Sequence, residues 1–408
     1  ELENIAVGET SLPIKMNHLP IVCDPFSGFG GLTIAAQKTG LDVYASDLNA
    51  MATLLTKAVA EVPSRFADCR PTNPQKENKM FFGIEGLASD VDYYGNLLKK
   101  ETHQKIGEHY KDVQITETEK SPVYAWVWVR TMKCPNPACG CQMPMASSYI
   151  LSKQKGREFW AEPEIIDKKV RFKIHKGMCP PGKESNKHGS NGSKFQCPAC
   201  GEITKDEYVK AFSKSGGLHM QMMAISVLTK EGRVFVEPDD DLVVADVPAL
   251  GSLPDNTRWF SPPGFGITEY ADLYTKRQLL LLTTLCDLIP IIQKIAYEDA
   301  LVSGMSEDAL PLKDGGDGAL AYSQAISLYL ALVIGKLANF QSTVCTWDNR
   351  TGNVRAAFMR QALPMTWVFA EGNPFSIPTG NYDSMLKNVV ESIGGLYIGK
   401  AAAVKQEN

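Results

Sequence analysis

Apolar positions near the start of the chain fall into two short runs, Ile21 to Asp24 and Leu41 to Ser46, with a helix-like stretch from about Leu32 to Lys38 between them. Short apolar runs bounded by Gly or Pro read as buried strands, so strand, turn, helix and strand are expected here. Leu48 to Val62 has helical spacing, with Asp47 or Asn49 placed to cap it and Pro63 expected to stop it. Residues 1 to 20 read as loop, because Pro13 and Pro20 limit regular structure. Gly86 to Tyr110 repeats Val91, Tyr94, Leu97, Leu98 and Ile106 at helical intervals. Val123 to Arg130 alternates aromatic and aliphatic residues and predicts a strand, as do Arg157 to Ile166 and Lys169 to Ile174. A short helix is expected from Lys205 to Lys214, then a hairpin of Met220 to Leu228 and Arg233 to Glu237 turning at Gly232. The acidic segment Pro238 to Leu253 reads as a short surface helix. Leu273 to Tyr297, kinked at Pro290, Ala319 to Leu337 and Tyr382 to Ser392 predict helices, and the polar end from Lys400 is expected to fray.

A hydrophobic content of 44% over 408 residues can bury a large core and implies two or three domains. The expected division is 1–119, 120–216 and 217–400. Net charge is only −4, so a nucleic-acid partner would have to be met by a local patch. Lys153 to Arg157, Lys168 to Lys176 and Lys183 to Lys194 are the candidates, against the plainer reading of solvated loops. No signal peptide opens the chain, and neither apolar helix is a convincing span. A cytoplasmic protein with no membrane partner is expected.

Two motifs carry chemistry. Asp24-Pro25-Phe26-Ser27-Gly28-Phe29-Gly30-Gly31 joins the first strand to its helix, and Asp47 closes the second strand. Glycines let a backbone turn sharply and approach a ligand, while a carboxylate ending the second strand of such a unit can accept both ribose hydroxyls. The spacing is neither a dinucleotide fingerprint nor a phosphate loop. The second motif is Cys134-Pro-Asn-Pro-Ala-Cys139-Gly-Cys141 with Cys197-Pro-Ala-Cys200-Gly201. Two cysteine turns of one composition point to a structural zinc ion held by Cys134, Cys139, Cys197 and Cys200. Cys141 is an alternative to Cys139, and Cys179 has no close partner.

Asp-Pro-Phe-x-Gly-x-Gly resembles the first motif of class I S-adenosylmethionine-dependent methyltransferases. Ala45-Ser46-Asp47-Leu48-Asn49, the turn from Cys134, Gly266 to Leu279, and Arg360 to Met365 through Asn373-Pro374-Phe375-Ser376 extend the likeness over most of residues 20 to 380. Together they resemble adenine-specific DNA methylases with an internal zinc ribbon, including those found with phage-defence genes. The resemblance implies an α/β chain with a partial Rossmann-like methyltransferase core, an inserted β-rich zinc ribbon and a helical region. It also implies S-adenosylmethionine bound by Asp24, Pro25, Phe26, Gly28, Gly30, Asp47 and Asn49. DNA would be the substrate, in restriction-modification or phage defence, with other defence-system proteins as partners.

The family's Asp-Pro-Pro-Tyr loop, which orients the target amine and stacks the extruded base, is absent. Ser261-Pro262-Pro263 has Gly264 where an aromatic ring is required, and Asn373-Pro374-Phe375 lacks the second proline. The chain is therefore expected to be a fragment cut before its catalytic loop, with Asn373, Pro374 and Phe375 as weak substitutes. Methylation of RNA or protein, and a non-catalytic zinc-ribbon module that binds nucleic acid, are the alternatives.

Overall fold

The computed structural model describes residues 4–7, 10–13, 20–75, 80–116, 119–189, 192–238, 248–254, 259–359 and 361–407. It is a mixed α/β protein. The first elements are strands β1 (Asn4–Val7), β2 (Thr10–Pro13) and β3 (Ile21–Asp24), helix α1 (Gly31–Lys38), strand β4 (Asp42–Ser46), and helices α2 (Ala50–Thr56) and α3 (Glu85–Ile106). Strands β5 (Val123–Lys133), β6 (Gln142–Pro144), β7 (Ile150–Gln154), β8 (Arg157–Ile166) and β9 (Lys169–Lys176) lead to helix α4 (Asp206–Phe212) and strands β10 (His219–Thr229) and β11 (Gly232–Val236). Helices α5 (Lys276–Val302) and α6 (Ala319–Ala338), strand β12 (Val368–Gly372), helix α7 (Tyr382–Gly394) and strand β13 (Ala403–Lys405) follow, and two-residue strands pair at Val113–Gln114 with Lys120–Ser121 and at Trp347–Asp348 with Asn353–Val354.

The chain divides into two units, and neither is a continuous stretch. One comprises 1–97, 289–331 and 387–408; the other comprises 98–288 and 332–386.

In the first unit, β13, β4 and β3 form a parallel sheet in that order. Ala36, Val43, Ala45, Ala60, Ala402 and Val404 make its core. Small side chains let α1 lie close to the strands, and Gln37 crosses the gap, donating to the carbonyls of Ala60 and Lys400 at 2.7 Å each. The expectation of a frayed end is corrected here: β13 is pinned by its ladder to β4 and by the Asp47 N–H, which donates to the Lys405 carbonyl. The N-terminal loop expectation is corrected too, since β1 and β2 pair antiparallel.

Pro63 does not end its helix. A π turn over Lys57–Glu61 precedes it, the Val62 N–H bonding back to the Lys57 carbonyl, and the helix resumes over Val62–Arg65. Proline has no N–H to offer a carbonyl four residues back, and the wider turn absorbs that mismatch. Of the acidic segment expected as a helix, 239–247 lie outside the described residues and 248–254 are not helical. Arg360 also lies outside them.

Asp90 is fully buried in this unit and accepts five hydrogen bonds. Thr72 N–H, Thr72 hydroxyl and Tyr322 hydroxyl meet Oδ2 at 2.7, 2.9 and 2.7 Å, while Asn73 N–H and its amide meet Oδ1 at 3.0 and 2.7 Å. A neutral amide turns one acceptor into a donor facing donors. Asp90→Asn should therefore cost about 2–3 kcal/mol, the scale of hydrogen bonds to a charged group, with thermal unfolding as the readout. An unchanged melting temperature would mean that the cluster opens at little cost.

The second unit holds an antiparallel sheet in the order β11, β10, β5, β12, with β6 paired to β5, and a second sheet in the order β9, β8, β7. The β10–β11 hairpin and the β8–β9 pair follow the alternation in the sequence. Val127, Val129, Leu151, Phe159, Phe172, Met223 and Phe235, drawn from strands of both sheets, share one core. Met222 and Met223 are buried, as core packing requires, whereas Met220 is exposed.

Helix α5 continues through Pro290. The expectation that neither apolar helix is a convincing span is corrected as to length and composition: both α5 and α6 are long and apolar enough to cross a bilayer, with 39% and 67% of their apolar windows buried in the protein. The burial of α6 is what a core helix shows.

Candidate functional site

In the first unit, the apolar run of β3 ends at Asp24, and its ladder to β4 brings the turn beside Asp47. Gly28 and Gly30 hold φ of +52° and +79°, a region that disfavours a Cβ. At Gly30 a Cβ would also come within 3.0 Å of Val59 Cγ2. At Gly28 a Cβ would meet, chain neighbours aside, nothing among the described residues nearer than the Phe26 carbonyl oxygen at 3.9 Å, so that side is open to an approaching group. The turn is closed by Gly30 N–H to the Ser27 carbonyl at 2.7 Å and by Ser27 N–H to the Ser46 carbonyl at 3.0 Å.

Asp47 ties the two strand ends together. Its Oδ2 accepts from the Gly28 N–H at 2.9 Å and its Oδ1 from the Asn49 N–H at 2.9 Å. The Asn49 and Gly28 amides hold its carboxyl below the usual range, so it is an anion at neutral pH. Each oxygen keeps a lone pair for a ligand hydroxyl. Asp24 is buried and accepts from the Thr33 hydroxyl at 3.0 Å, which fixes α1 to the strand end. Asn49 caps α2, its Oδ1 accepting from Met51 N–H at 2.9 Å.

Pro25 is exposed, and Phe26 and Phe29 stand 88% and 75% exposed beside the turn. Apolar rings left in water at a strand end are available to cover a ligand. The sequence reading missed the Ser27 hydroxyl, which is buried with no hydrogen-bond partner among the described residues. A serine in a glycine turn is common, so only its burial in the fold singles it out.

In the second unit, the sulfurs of Cys134, Cys139, Cys197 and Cys200 lie within 4.8 Å of one another and could hold a metal ion. Cys134 and Cys200 are 3.7 Å apart and Cys139 and Cys197 are 3.9 Å apart. Four sulfurs at about 2.3 Å from a tetrahedral zinc would stand about 3.8 Å from one another, so the spacing is compatible with that ion. Both cysteine turns close on a left-handed glycine, Gly140 at φ +56° and Gly201 at φ +78°. Asn136 shapes the first turn, its carbonyl accepting from Cys139 and Gly140 and its side chain from Ala138 N–H. As a free thiol Cys139 is held down to about 7, chiefly by the Cys141 amide facing its sulfur, whereas burial pushes the Cys134 and Cys141 thiols up. Cys141 lies 3.4 Å from the Cys197 sulfur but outside the mutually close set of four.

The weak catalytic candidates are engaged internally. Asn373 is buried, donating from its side chain to the Val123 carbonyl at 2.9 Å and accepting from Phe375 N–H at 3.0 Å. The Pro374 carbonyl accepts from Tyr382 N–H, and the Phe375 ring packs edge-on against His103 and Tyr110. Ser261 accepts from Met365 N–H at 2.6 Å, and Pro262–Phe265 form a 3-10 turn.

No protein-family model, no curated protein and no solved structure matches this chain.

Proposed function

We propose that this chain carries the cofactor-binding part of an S-adenosylmethionine-dependent DNA methyltransferase, specific for the adenine exocyclic nitrogen and serving restriction-modification or phage defence in the cytoplasm. One observation carries the reading: the Gly28 N–H donates to Asp47 where two adjacent parallel strands end, the place at which open α/β sheets bind ligands. In this reading β13, β4 and β3 belong to a Rossmann-like core. Asp47 receives the ribose, the space beside Gly28 receives the methionine part, and Phe26 and Phe29 shield them from water. The four cysteines hold a structural zinc in a ribbon; four protein thiolates leave it no open position for catalysis.

Lys169, Arg171 and Lys173 alternate with buried Val170 and Phe172 along β9 and face solvent, but Glu164 and Glu162 of β8 stand directly opposite Arg171 and Lys173, so phosphates would have to compete with these acids for the stripe. The internal engagement of Asn373 and Ser261 favours a second reading, in which the chain is a non-catalytic zinc-ribbon module that binds nucleic acid. A methyl acceptor in RNA or protein would need the same cofactor turn, and adenine-containing DNA assayed against structured RNA separates those substrates.

Calorimetry decides the cofactor claim. Asp47→Ala should weaken S-adenosylmethionine binding roughly ten- to a hundredfold, as expected for hydrogen bonds to a charged group. Equal affinity in a folded mutant would remove the acid from the site, and no binding by the unaltered chain would leave only the non-catalytic module.

A further inference from the structure

The second unit contains a cavity of about 590 Å³, within the 300–1,000 Å³ typical of small-molecule sites. Its walls come from Trp128 and Arg130 of β5, His219 at the start of β10, Phe265 of the 3-10 turn, and Arg277 in the first turn of α5, with Glu371 of β12. Arg130, Lys276 and Arg277 face two carboxylates in this wall, Asp272 and Glu371, so it carries one more cation than anion. Arg277 Nε donates to Glu371 Oε1 at 2.7 Å and Trp128 Nε1 to Glu371 Oε2 at 3.0 Å, so these two charges close on each other.

Arg130 is 3% exposed, and among the described residues its hydrogen-bond partners are neutral. Its Nε donates to the Thr366 carbonyl at 2.8 Å and its Nη2 to the Thr343 hydroxyl at 3.0 Å, while its guanidinium lies over the Phe369 ring. Asp272 also lines the cavity and attracts Arg130, but it is exposed and caps the turn after Thr268, its Oδ2 accepting from the N–H groups of Thr268 and Glu269. Burial lowers the Arg130 pKa to about 10, which still leaves a cation at neutral pH. A buried charge that makes no ion pair among the described residues is costly, and a ligand that supplies a counter-charge lowers the cost.

We infer that this cavity binds a small amphipathic anion, with a carboxylate or phosphate head on Arg130 and a flat apolar body against Trp128 and Phe265. The inference stands apart from the cofactor reading, since every group it uses lies in the second unit and none belongs to the glycine turn.

The test titrates the full chain with benzoate and phenyl phosphate, using benzamide as the neutral match and inorganic phosphate as the head alone. The anionic aromatics should bind at least tenfold tighter than benzamide and tighter than inorganic phosphate, and the tighter of the two identifies the head. Arg130→Gln should lose that preference, and Arg130→Lys should keep part of it. If Arg130→Gln fails to fold, Ala271→Trp at the cavity wall decides, because it should block binding without touching the guanidinium. Benzamide binding as well as benzoate, inorganic phosphate binding as well as phenyl phosphate, or undiminished binding to a folded Ala271→Trp would each overturn the assignment.

Discussion

Cys197→Ser will empty the cysteine centre of metal and loosen the part of the protein around it. Cys197 is buried, its N–H donates to the Glu202 carbonyl, and its sulfur is within reach of both Cys139 and Cys141. The surrounding core contains Met132, Met143, Met145, Phe195, Val209 and Trp367, so the site is built into apolar packing. Structural zinc binding is worth about 10–16 kcal/mol in small zinc-finger peptides. Here the neighbouring sheets have a core of their own, so the stability lost with the ion should be a fraction of that. Elemental analysis of protein purified without chelator should find about one zinc per chain and none in the mutant, with a lower melting temperature; chelation should reproduce both. Cys141→Ser should keep the ion, because its sulfur lies outside the set of four. Metal lost from Cys141→Ser and kept in Cys139→Ser would exchange the two ligands, and no metal in the unaltered chain would leave a cluster of packed thiols.

What the sequence disclosed, and what it hid, follows from the range of the forces involved. The β3 turn, the β10–β11 hairpin and the two cysteine turns are local: alternation, glycines and short spacings determine them within about a dozen residues. Strand β13 is three residues long and pairs with β4 across most of the chain, so no periodicity could reveal it; only burial of Ala402 and Val404 gives it a reason to form. Pro63 misled for a related reason, since a proline's cost depends on whether the preceding turn can widen. Arg130 did leave a trace, as a cation ending an apolar strand run. Alternation marked that run as a strand but could not tell that the guanidinium would be buried on neutral hydrogen-bond partners. The partition of the chain into units assembled from separate segments is likewise set by long-range packing.

Glu371→Ala should be among the most destabilising single changes in the second unit, at about 3–5 kcal/mol, because it strands a buried charge instead of merely removing a contact. Glu371 is 1% exposed and holds Arg277 and the Trp128 indole on its two oxygens. The Arg277 guanidinium lies 3.5 Å from the centre of the Trp126 ring, and that face attracts the cation without neutralising it. Removing the acid would leave the Arg277 guanidinium without its carboxylate in a wall that also holds buried Arg130, with an indole N–H lacking an acceptor. Glu371→Gln, which keeps one acceptor, should cost less. Replacing the pair by apolar residues, Arg277→Met with Glu371→Leu, should recover most of the loss, since neither charge then has to be desolvated. Urea unfolding followed by tryptophan fluorescence reads all three variants. A Glu371→Ala protein within about 0.5 kcal/mol of the parent, the range of an ordinary surface change, would mean that water already reaches the pair. A double mutant no better than Glu371→Ala would mean that shape at this position, and not charge, sets the stability.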